Sequence, residues 1–483
     1  MSGPAGPGAG GAADRAPAAP PESAAGVERV SRELLRLAMP ILGSLALRLA
    51  FQWVDALWVR GLGTRATAAI TTSIFVTWFA YSLNDVFGIG ISAYVSQLVG
   101  AGDRRRAGVA VWKGLLASGM MGLVVSAVGL FGAHAIFRVM DPGGQVVGPG
   151  TAYLRVILGA APLMLMSETC LATMRATGDS RTPLLVDLGA IGFNAALAPL
   201  LIYGIGPFPR LGIAGAAWAT VSAQAVMLGT FTVLALRRHP SLPIARHAEG
   251  PPVRVAGMAR VGAPAALIGL LFSVVYVAFT RSASAQGAAA VAIVGIGNRL
   301  EAIQFVMSLA IGLAGASLLG RSLGAGRPDR AAEVVRVGQR WSLSVSFILV
   351  ALFLLAPRAL LSWFSNDPAV WAIGVPYLRV LALTLPFTAL EIATAEAVMG
   401  SGHTQALSWI YGTVSLARIP LAFLVPAWTH SGVIGIVWLI TISCMVRTFA
   451  VLAWVARGTW KRGLARELHP HAPAVPETPG GAC

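Results

Sequence analysis

Long apolar runs recur along the whole chain, and short polar breaks separate them. About twenty consecutive apolar residues are needed to cross the hydrocarbon core of a bilayer as an α-helix. Lipid offers the backbone no hydrogen-bond partners, so such runs fold as helices when they span a membrane. The pattern predicts an all-α membrane protein with twelve transmembrane helices. Their expected bounds are 34–59, 66–98, 109–136, 152–176, 183–205, 212–236, 258–283, 288–319, 338–362, 374–399, 405–428 and 432–456.

The composition supports this fold class. Of the 483 residues, 56% are hydrophobic and 12% are charged, which excludes an ordinary soluble globule. The net charge of +16 is compatible in principle with nucleic-acid binding, but the positive residues fall in short clusters between the apolar runs. Such clusters are typical of cytoplasmic membrane loops. We therefore expect the lipid bilayer, and no nucleic acid, as a partner.

The basic clusters also predict the orientation, because cytoplasmic loops carry an excess of Lys and Arg. The richer set of helix ends includes the run 104–106, the arginines between 237 and 254, and Lys461. Both termini are therefore expected in the cytoplasm, with the chain in the plasma (inner) membrane. Residues 1–32 are rich in Gly, Ala and Pro and predict a disordered tail, and 457–483 predict a second tail.

The chain is an internal duplication. Elements that recur 224 positions later are 153–156 (Tyr-Leu-Arg-Val) at 377–380, Pro40 at Pro264, and Gly178 at Gly402. Each repeat has six predicted helices, an even number, so the two repeats share one orientation and are related by an axis along the membrane normal. We expect two pseudo-symmetric six-helix bundles, at 33–236 and 258–456, joined by a cytoplasmic linker at 237–257.

Asp55 is the most conspicuous polar residue of the first predicted helix. At 1.5 Å per residue it lies about 30 Å along the helix from Leu34. Intramembrane acids are costly and usually face a cavity or an ion path. The alternative is an acid that reaches the outer headgroups or pairs with Arg60. Asp85, deep in the second predicted helix, is a second candidate for a cation path.

Other intramembrane charges are candidates for a polar cleft between the bundles: Glu168, Glu301, Glu391 and Arg418. Structural pairing is the alternative, since Arg418 could reach Glu391 or Glu396 on the preceding helix. Arg299 and Glu301 are two positions apart and should not share a helix face. Asp187 lies near the start of its helix, where an acid is favourable, so a structural role is expected.

No enzyme constellation is present in the sequence. There is no Walker loop for ATP, and the histidines have no metal-ligand company. The cysteines Cys170, Cys444 and Cys483 predict neither a disulfide framework nor a metal site. We therefore expect no catalytic residues, no metal and no cofactor.

Six motifs carry a resemblance to a known family. They are LAMP at 37–40, VDALWVRGLG at 54–63, SQLVGAGD at 96–103, MRATGDSRTP at 174–183, SLLGRSLGAGRPDRA at 317–331 and ARIPLAFLV at 417–425. Together they resemble the multidrug and toxic-compound extrusion (MATE) family over residues 33–456. The resemblance implies a V-shaped cleft between two bundles and export of organic, often cationic, compounds against inward proton or sodium flow.

The resemblance also implies site residues. Asp55 falls on the acid of the family's first-helix motif, and Asn194 on the asparagine of a helix-five pattern. The acid of that second pattern is replaced by Ala198, and Arg321 stands where a glutamine is usual. The seventh predicted helix also lacks the carboxylate found in another branch of the family. Neither of the family's ion sites is complete.

We therefore expect a monomeric antiporter that exports small organic molecules, with the coupling ion at Asp55, assisted by Asn194 and Asp85. Protons are favoured over Na⁺ because one carboxylate binds a proton, whereas Na⁺ needs several oxygens. Two alternatives stay open. One is a flippase for lipid-linked precursors, which intramembrane arginines such as Arg48, Arg299 and Arg418 would suit. The other is a non-transporting membrane receptor or scaffold.

Overall fold

A computed structural model of the chain describes residues 24–140, 144, 146–464 and 468. Within these ranges, the side chains at 24, 25, 52–57, 60, 64, 67, 71, 74, 75, 78, 81, 273 and 288 lie outside the description. The described part is helical and contains no strand. The helices of the first half are α1 (Ala24–Arg60), α2 (Thr64–Gly100), α3 (Arg104–Met140), α4 (Val147–Gly159), α5 (Ala161–Thr177), α6 (Arg181–Tyr203) and α7 (Ile213–Leu236). Those of the second half are α8 (Val255–Ser284), α9 (Ala288–Gly324), α10 (Pro328–Leu355), α11 (Pro357–Ser362), α12 (Pro368–Met399), α13 (Thr404–Thr429) and α14 (Val433–Ala456).

Each predicted span has its counterpart among these helices. The fourth span is α4 plus α5, which bend by 49° at a break around Ala160, next to Pro162. The ninth is α10 plus the short α11. Ten described helices are long and apolar enough to cross a membrane, and the bent pair makes an eleventh. The second predicted span is α2, a helix of 37 residues that is about 55 Å long. The all-α membrane fold is confirmed.

The ends of the helices differ from the predicted bounds. α1 begins at Ala24, inside the predicted tail, and α8 begins at Val255, inside the predicted linker. Beyond α14, a 3₁₀ helix at Thr459–Arg462 follows. Its Trp460 is buried between helices of both halves. The N- and C-terminal segments therefore belong partly to the packed molecule.

The two halves meet mainly through α1 and α2 on one side and α8 and α9 on the other. Glycines allow the backbones to touch. A Cβ on Gly90 would collide with the carbonyl oxygen of Met258, and one on Gly262 with that of Val86. Only glycine permits such close approach of two backbones.

These contacts lie at the end of the molecule where α2 ends and α8 begins, which we call the closed end. Hydrogen bonds join the halves at the same end. Gln97 Nε2 donates to the carbonyl oxygen of Gly400 at 3.0 Å, and Ser317 Oγ donates to that of Arg175 at 2.6 Å. Glu33 of α1 pairs with Arg330 of α10. The basic loops lie at this end.

Candidate functional site

Asp55 lies near the end of α1, but its side chain lies outside the described part of the structure, as does that of Arg60. The neighbourhood of Asn194 is described. Its Nδ2 donates to Thr220 Oγ1 of α7 at 3.3 Å, and its Oδ1 is buried without a hydrogen-bond partner among the described residues. Ala198, one turn further along α6, is fully buried. A buried amide oxygen of this kind could accept a hydrogen bond from a protonated acid or ligate a cation.

The strongest polar constellation of the first half is centred on Arg48 of α1. Its Nη1 lies 2.7 Å from Glu168 Oε1 of α5, and its Nη2 lies 2.9 Å from Asp187 Oδ1 of α6. A third contact joins its Nε to Asp187 Oδ2 at 3.3 Å. One arginine therefore ties three helices together. A structural role for Asp187 was expected from its place near the helix start, and the structure shows its partner.

Asp85 of α2 extends this network towards the second half. It is partly buried and within electrostatic reach of Glu168 on one side and of Glu396 of α12 on the other. Arg175, two turns beyond Glu168 on α5, interacts electrostatically with Arg48, Glu168 and Asp187. Charged groups thus run from α6 through α1, α5 and α2 to α12.

The second half has its own buried ion pair. Arg447 Nε of α14 lies 2.5 Å from Glu391 Oε1 of α12, and the guanidinium carbon of Arg447 stands 4.7 Å from the centre of the Tyr411 ring. This corrects the predicted pairing of Glu391 or Glu396 with Arg418. Arg418 Nε instead donates to Ser443 Oγ at 2.7 Å, and its Nη2 to Cys444 Sγ at 3.2 Å. The pairing failed because α12 packs closely against α14, whereas it touches its sequence neighbour α13 only slightly.

Glu301 of α9 interacts electrostatically with Arg418, Arg447 and Glu391. Arg299 instead places its guanidinium carbon 6.0 Å from the centre of the Phe364 ring. Three of the predicted cleft residues, Glu301, Glu391 and Arg418, therefore lie in one cluster of the second half. Glu168 belongs to the Arg48 network of the first half. Sequence reasoning missed the roles of Arg48 and Arg447, and their intramembrane positions were the available signal.

Comparison with known proteins supports the reading of the motifs. The MatE family model matches residues 40–200 and 264–424, one match in each repeat. The chain is 26% identical over 446 residues to the probable multidrug resistance protein NorM of Thermotoga maritima, covering 90% of this chain and 94% of that protein. It is 30% identical to the probable NorM of Deinococcus radiodurans over 391 residues, covering 77% and 83%. It is 28% identical to the FAD transporter of Shewanella oneidensis over 410 residues, covering 84% and 89%.

Solved structures share the fold. An outward-facing multidrug resistance MATE transporter superimposes with a TM-score of 0.81 at 22% identity, covering 89% of this chain and 96% of that chain. A MOP superfamily transporter from Pyrococcus furiosus, described as having a binding pocket of reversed polarity, gives 0.79 at 23% identity with the same coverage. The match of the family model in both repeats shows that the chain belongs to the MatE family, whose members are membrane transporters and not enzymes.

Proposed function

We propose that the protein is a proton-coupled antiporter that exports small organic, often cationic, compounds by alternating access. The observation that supports this proposal is a series of neighbouring intramembrane carboxylates. Glu168 and Asp85 lie between packed helices of the first half, and Glu396 of α12 lies within electrostatic reach of Asp85. Intramembrane acids cost free energy and are retained where they move ions or bind substrates. The relatives named as multidrug resistance proteins support organic substrates.

The coupling ion would bind in the first half, at Asp55 with Asn194 assisting. Asn194 Oδ1, which has no hydrogen-bond partner among the described residues, supports this assignment because it offers an acceptor to a protonated carboxylic acid. Asp85 would carry the proton between Asp55 and the cleft. The protein would work as a monomer, since both halves of the pathway come from one chain.

We assign the closed end to the cytoplasmic side, because the basic loops lie there. With both termini in the cytoplasm, the contacts between the two halves would then close the protein towards the cytoplasm. The antiporter is favoured over the flippase because Arg48, which would suit an anionic lipid head, is engaged by Glu168 and Asp187. A receptor or scaffold would gain nothing from these buried charges.

Everted membrane vesicles test the coupling site. Asp55→Asn removes the titratable group with little change in size, so gradient-driven uptake of a fluorescent cationic drug should be lost while the protein stays folded. Asp329→Asn, in the first turn of α10, is the control and should transport normally. A protonophore should stop wild-type uptake and a sodium ionophore should not. Normal uptake by the Asp55→Asn protein would contradict the assignment.

A second candidate substrate class is an anionic aromatic metabolite. The FAD transporter of Shewanella oneidensis suggests this class, and buried Arg418 supports it because its hydrogen bonds go to the neutral groups Ser443 and Cys444. Expression in a host that lacks its own flavin exporter would separate the two classes. Flavin release that is lost in Arg418→Met, with no change in drug resistance, would favour the anionic substrate.

A further inference from the structure

The two ion pairs of Arg48 are not equivalent. Asp187 receives two contacts, from Nη2 at 2.9 Å and Nε at 3.3 Å, whereas Glu168 receives one, from Nη1 at 2.7 Å. The side chain of Asp187 is 2% exposed and that of Glu168 is 15% exposed. The Asp187 arm is therefore fixed by a two-point, desolvated contact. The ion pair between Arg48 and Glu168 rests on one contact and is easier to break.

Charge balance also favours protonation of Glu168 over protonation of Asp187. Protonation of Asp187 would leave a fully buried acid unpaired and remove the two-point contact of Arg48, and breaking a buried pair is strongly destabilising. Protonation of Glu168 leaves Arg48 neutralised by Asp187. Asp85, which interacts electrostatically with Glu168, is a neighbouring acid on the side of the second half.

We propose that Glu168 binds a coupling proton and that Arg48 is the positioning residue that responds to it. The proton comes from water in the cleft, by way of Asp85, and is held on a carboxylate oxygen of Glu168. The ion pair between Glu168 and Arg48 then breaks, so that α1 is released from α5 and stays anchored to α6 through Asp187. This inference rests on the proposed proton-coupled function and adds a second protonation step to it.

Release of α1 matters because the helix carries Asp55. Asp55 lies seven positions beyond Arg48, about 10 Å along the helix. Pro40 lies inside the same helix, where it removes one backbone hydrogen bond and favours bending. A change in the contact at Arg48 is therefore passed to the segment that presents Asp55.

The charged groups that face Glu168 come from several elements. They are Arg48 of α1, Asp85 of α2, Arg175 of α5 and Asp187 of α6, with Glu396 of α12 behind Asp85. The neighbouring α7 has no charged residue. α3 contacts α5 through a hydrogen bond between the hydroxyl groups of Ser118 and Thr169. α9 also contacts α5, because Ser317 Oγ donates to the carbonyl oxygen of Arg175.

Proteoliposomes that contain the full-length protein test the inference, with a fluorescent cationic dye as the probe. Two measurements are made over a pH series: uptake driven by a proton gradient, and equilibrium exchange of dye without a gradient. Glu168→Gln should lose gradient-driven uptake at least tenfold and retain exchange, with the pH dependence of exchange reduced. The matched variant Asp187→Asn should lose both activities together, because it removes the fixed arm. Arg48→Lys keeps the charge but cannot make the two-point contact with Asp187, so it should lose part of both activities and shift the pH profile.

Each outcome decides the inference. Wild-type-like uptake and pH profile in Glu168→Gln would overturn it, as would loss of exchange equal to that of Asp187→Asn, since Glu168 would then be structural. If Glu168→Gln does not fold, Glu168→Asp decides, because a proton-binding carboxylate on a shorter side chain should shift the pH midpoint and a structural one should not. Absence of proton-driven uptake in the wild-type protein would instead refute the proposed function, and this inference with it.

Discussion

Gln97 and Arg321 occupy equivalent positions of the two repeats, 224 residues apart, yet they contact the opposite half in different ways. Gln97 makes two hydrogen bonds across the closed end: its Nε2 donates to the carbonyl oxygen of Gly400 at 3.0 Å, and its Oε1 accepts from the backbone N–H of Leu464 at 2.8 Å. Arg321 instead lays its guanidinium against Gly178, the end of α5. The pseudo-symmetric fold therefore closes with an asymmetric pair of contacts.

Replacement of Gln97 by alanine should weaken the closed end. Loss of a buried hydrogen-bond partner costs about 1–3 kcal/mol. The open form should therefore gain about 5- to 150-fold relative to the closed form. The measurement is the rate at which a maleimide labels Ser317→Cys, in a background with the native cysteines replaced by alanine. Lys461→Ala, at an exposed position beside the same contact, is the control. Equal labelling with and without Gln97→Ala would refute the role of this contact.

Gly324→Ala should also separate the halves. A Cβ at this position would collide with the backbone carbonyl oxygen of Gln97, so α9 and α2 must move apart. Overpacking of this kind costs about 1–3 kcal/mol. Thermal unfolding in detergent should show a lower Tm for this variant. Gly229→Ala on α7, where a Cβ meets nothing within 4 Å, should leave the Tm unchanged or raise it. The same Tm for both variants would show that the helices tolerate the added Cβ.

Replacement of only one partner of the ion pair between Glu391 and Arg447 should lower the stability of the protein strongly. Glu391→Gln leaves the buried guanidinium without its counter-charge, and such changes cost about 3–5 kcal/mol. Glu391→Gln combined with Arg447→Met should recover most of the lost thermal stability. Glu28→Gln, in an exposed pair with Arg32, is the control and should cost less than about 1 kcal/mol. A double variant no more stable than Glu391→Gln alone would contradict this account.

Asp179, in the loop between α5 and α6, should make stability depend on pH. Burial opposes its charged form, but hydrogen bonds from Thr182, Ser241 and Arg181 outweigh it and hold the pKa of Asp179 below its usual value. The backbone N–H groups of Thr182 and Arg181 donate to its Oδ1 at 3.0 and 3.1 Å.

A carboxylate with a depressed pKa contributes stability above its unfolded pKa of about 3.9, and this contribution is lost as the pH falls through the folded pKa. Asp179→Ala should therefore lower the Tm at pH 7, by an amount that corresponds to about 1 kcal/mol for the lost hydrogen bonds to the backbone N–H groups of Arg181 and Thr182. The difference from wild type should shrink towards pH 3. Asp179→Asn, which keeps an acceptor oxygen, should lose less at pH 7. A difference that stays constant with pH would show that the hydrogen bonds to Asp179 do not depend on its charge.

Much of the fold could be predicted from the sequence because its causes are local. Apolar run length decides which segments span the bilayer, and Pro162 marks the break that divides α4 from α5. The repeats predicted two equivalent bundles. The structural role expected for Asp187 followed from its place near a helix start, although its partner did not.

The partners of the charged residues required the tertiary structure. Arg48 meets Glu168 and Asp187 across separations of 120 and 139 positions, and no pattern along the chain relates them. The predicted pairing of Arg418 with Glu391 assumed that consecutive helices are neighbours, but α12 packs instead on α14, which brings Arg447 to Glu391.

The sequence by itself determined the membrane-spanning helices, their duplication and the family, since these depend on hydrophobic run length and on motifs that are contiguous in the chain. Only the tertiary structure decided which charges are paired, which arm of Arg48 is exposed and how the two halves close. A side chain's electrostatic partners depend on which helix faces meet, and this is a property of the packing of all twelve spans together. For Arg48 that packing, and not its position in the chain, produces a fixed contact at Asp187 beside an exchangeable one at Glu168.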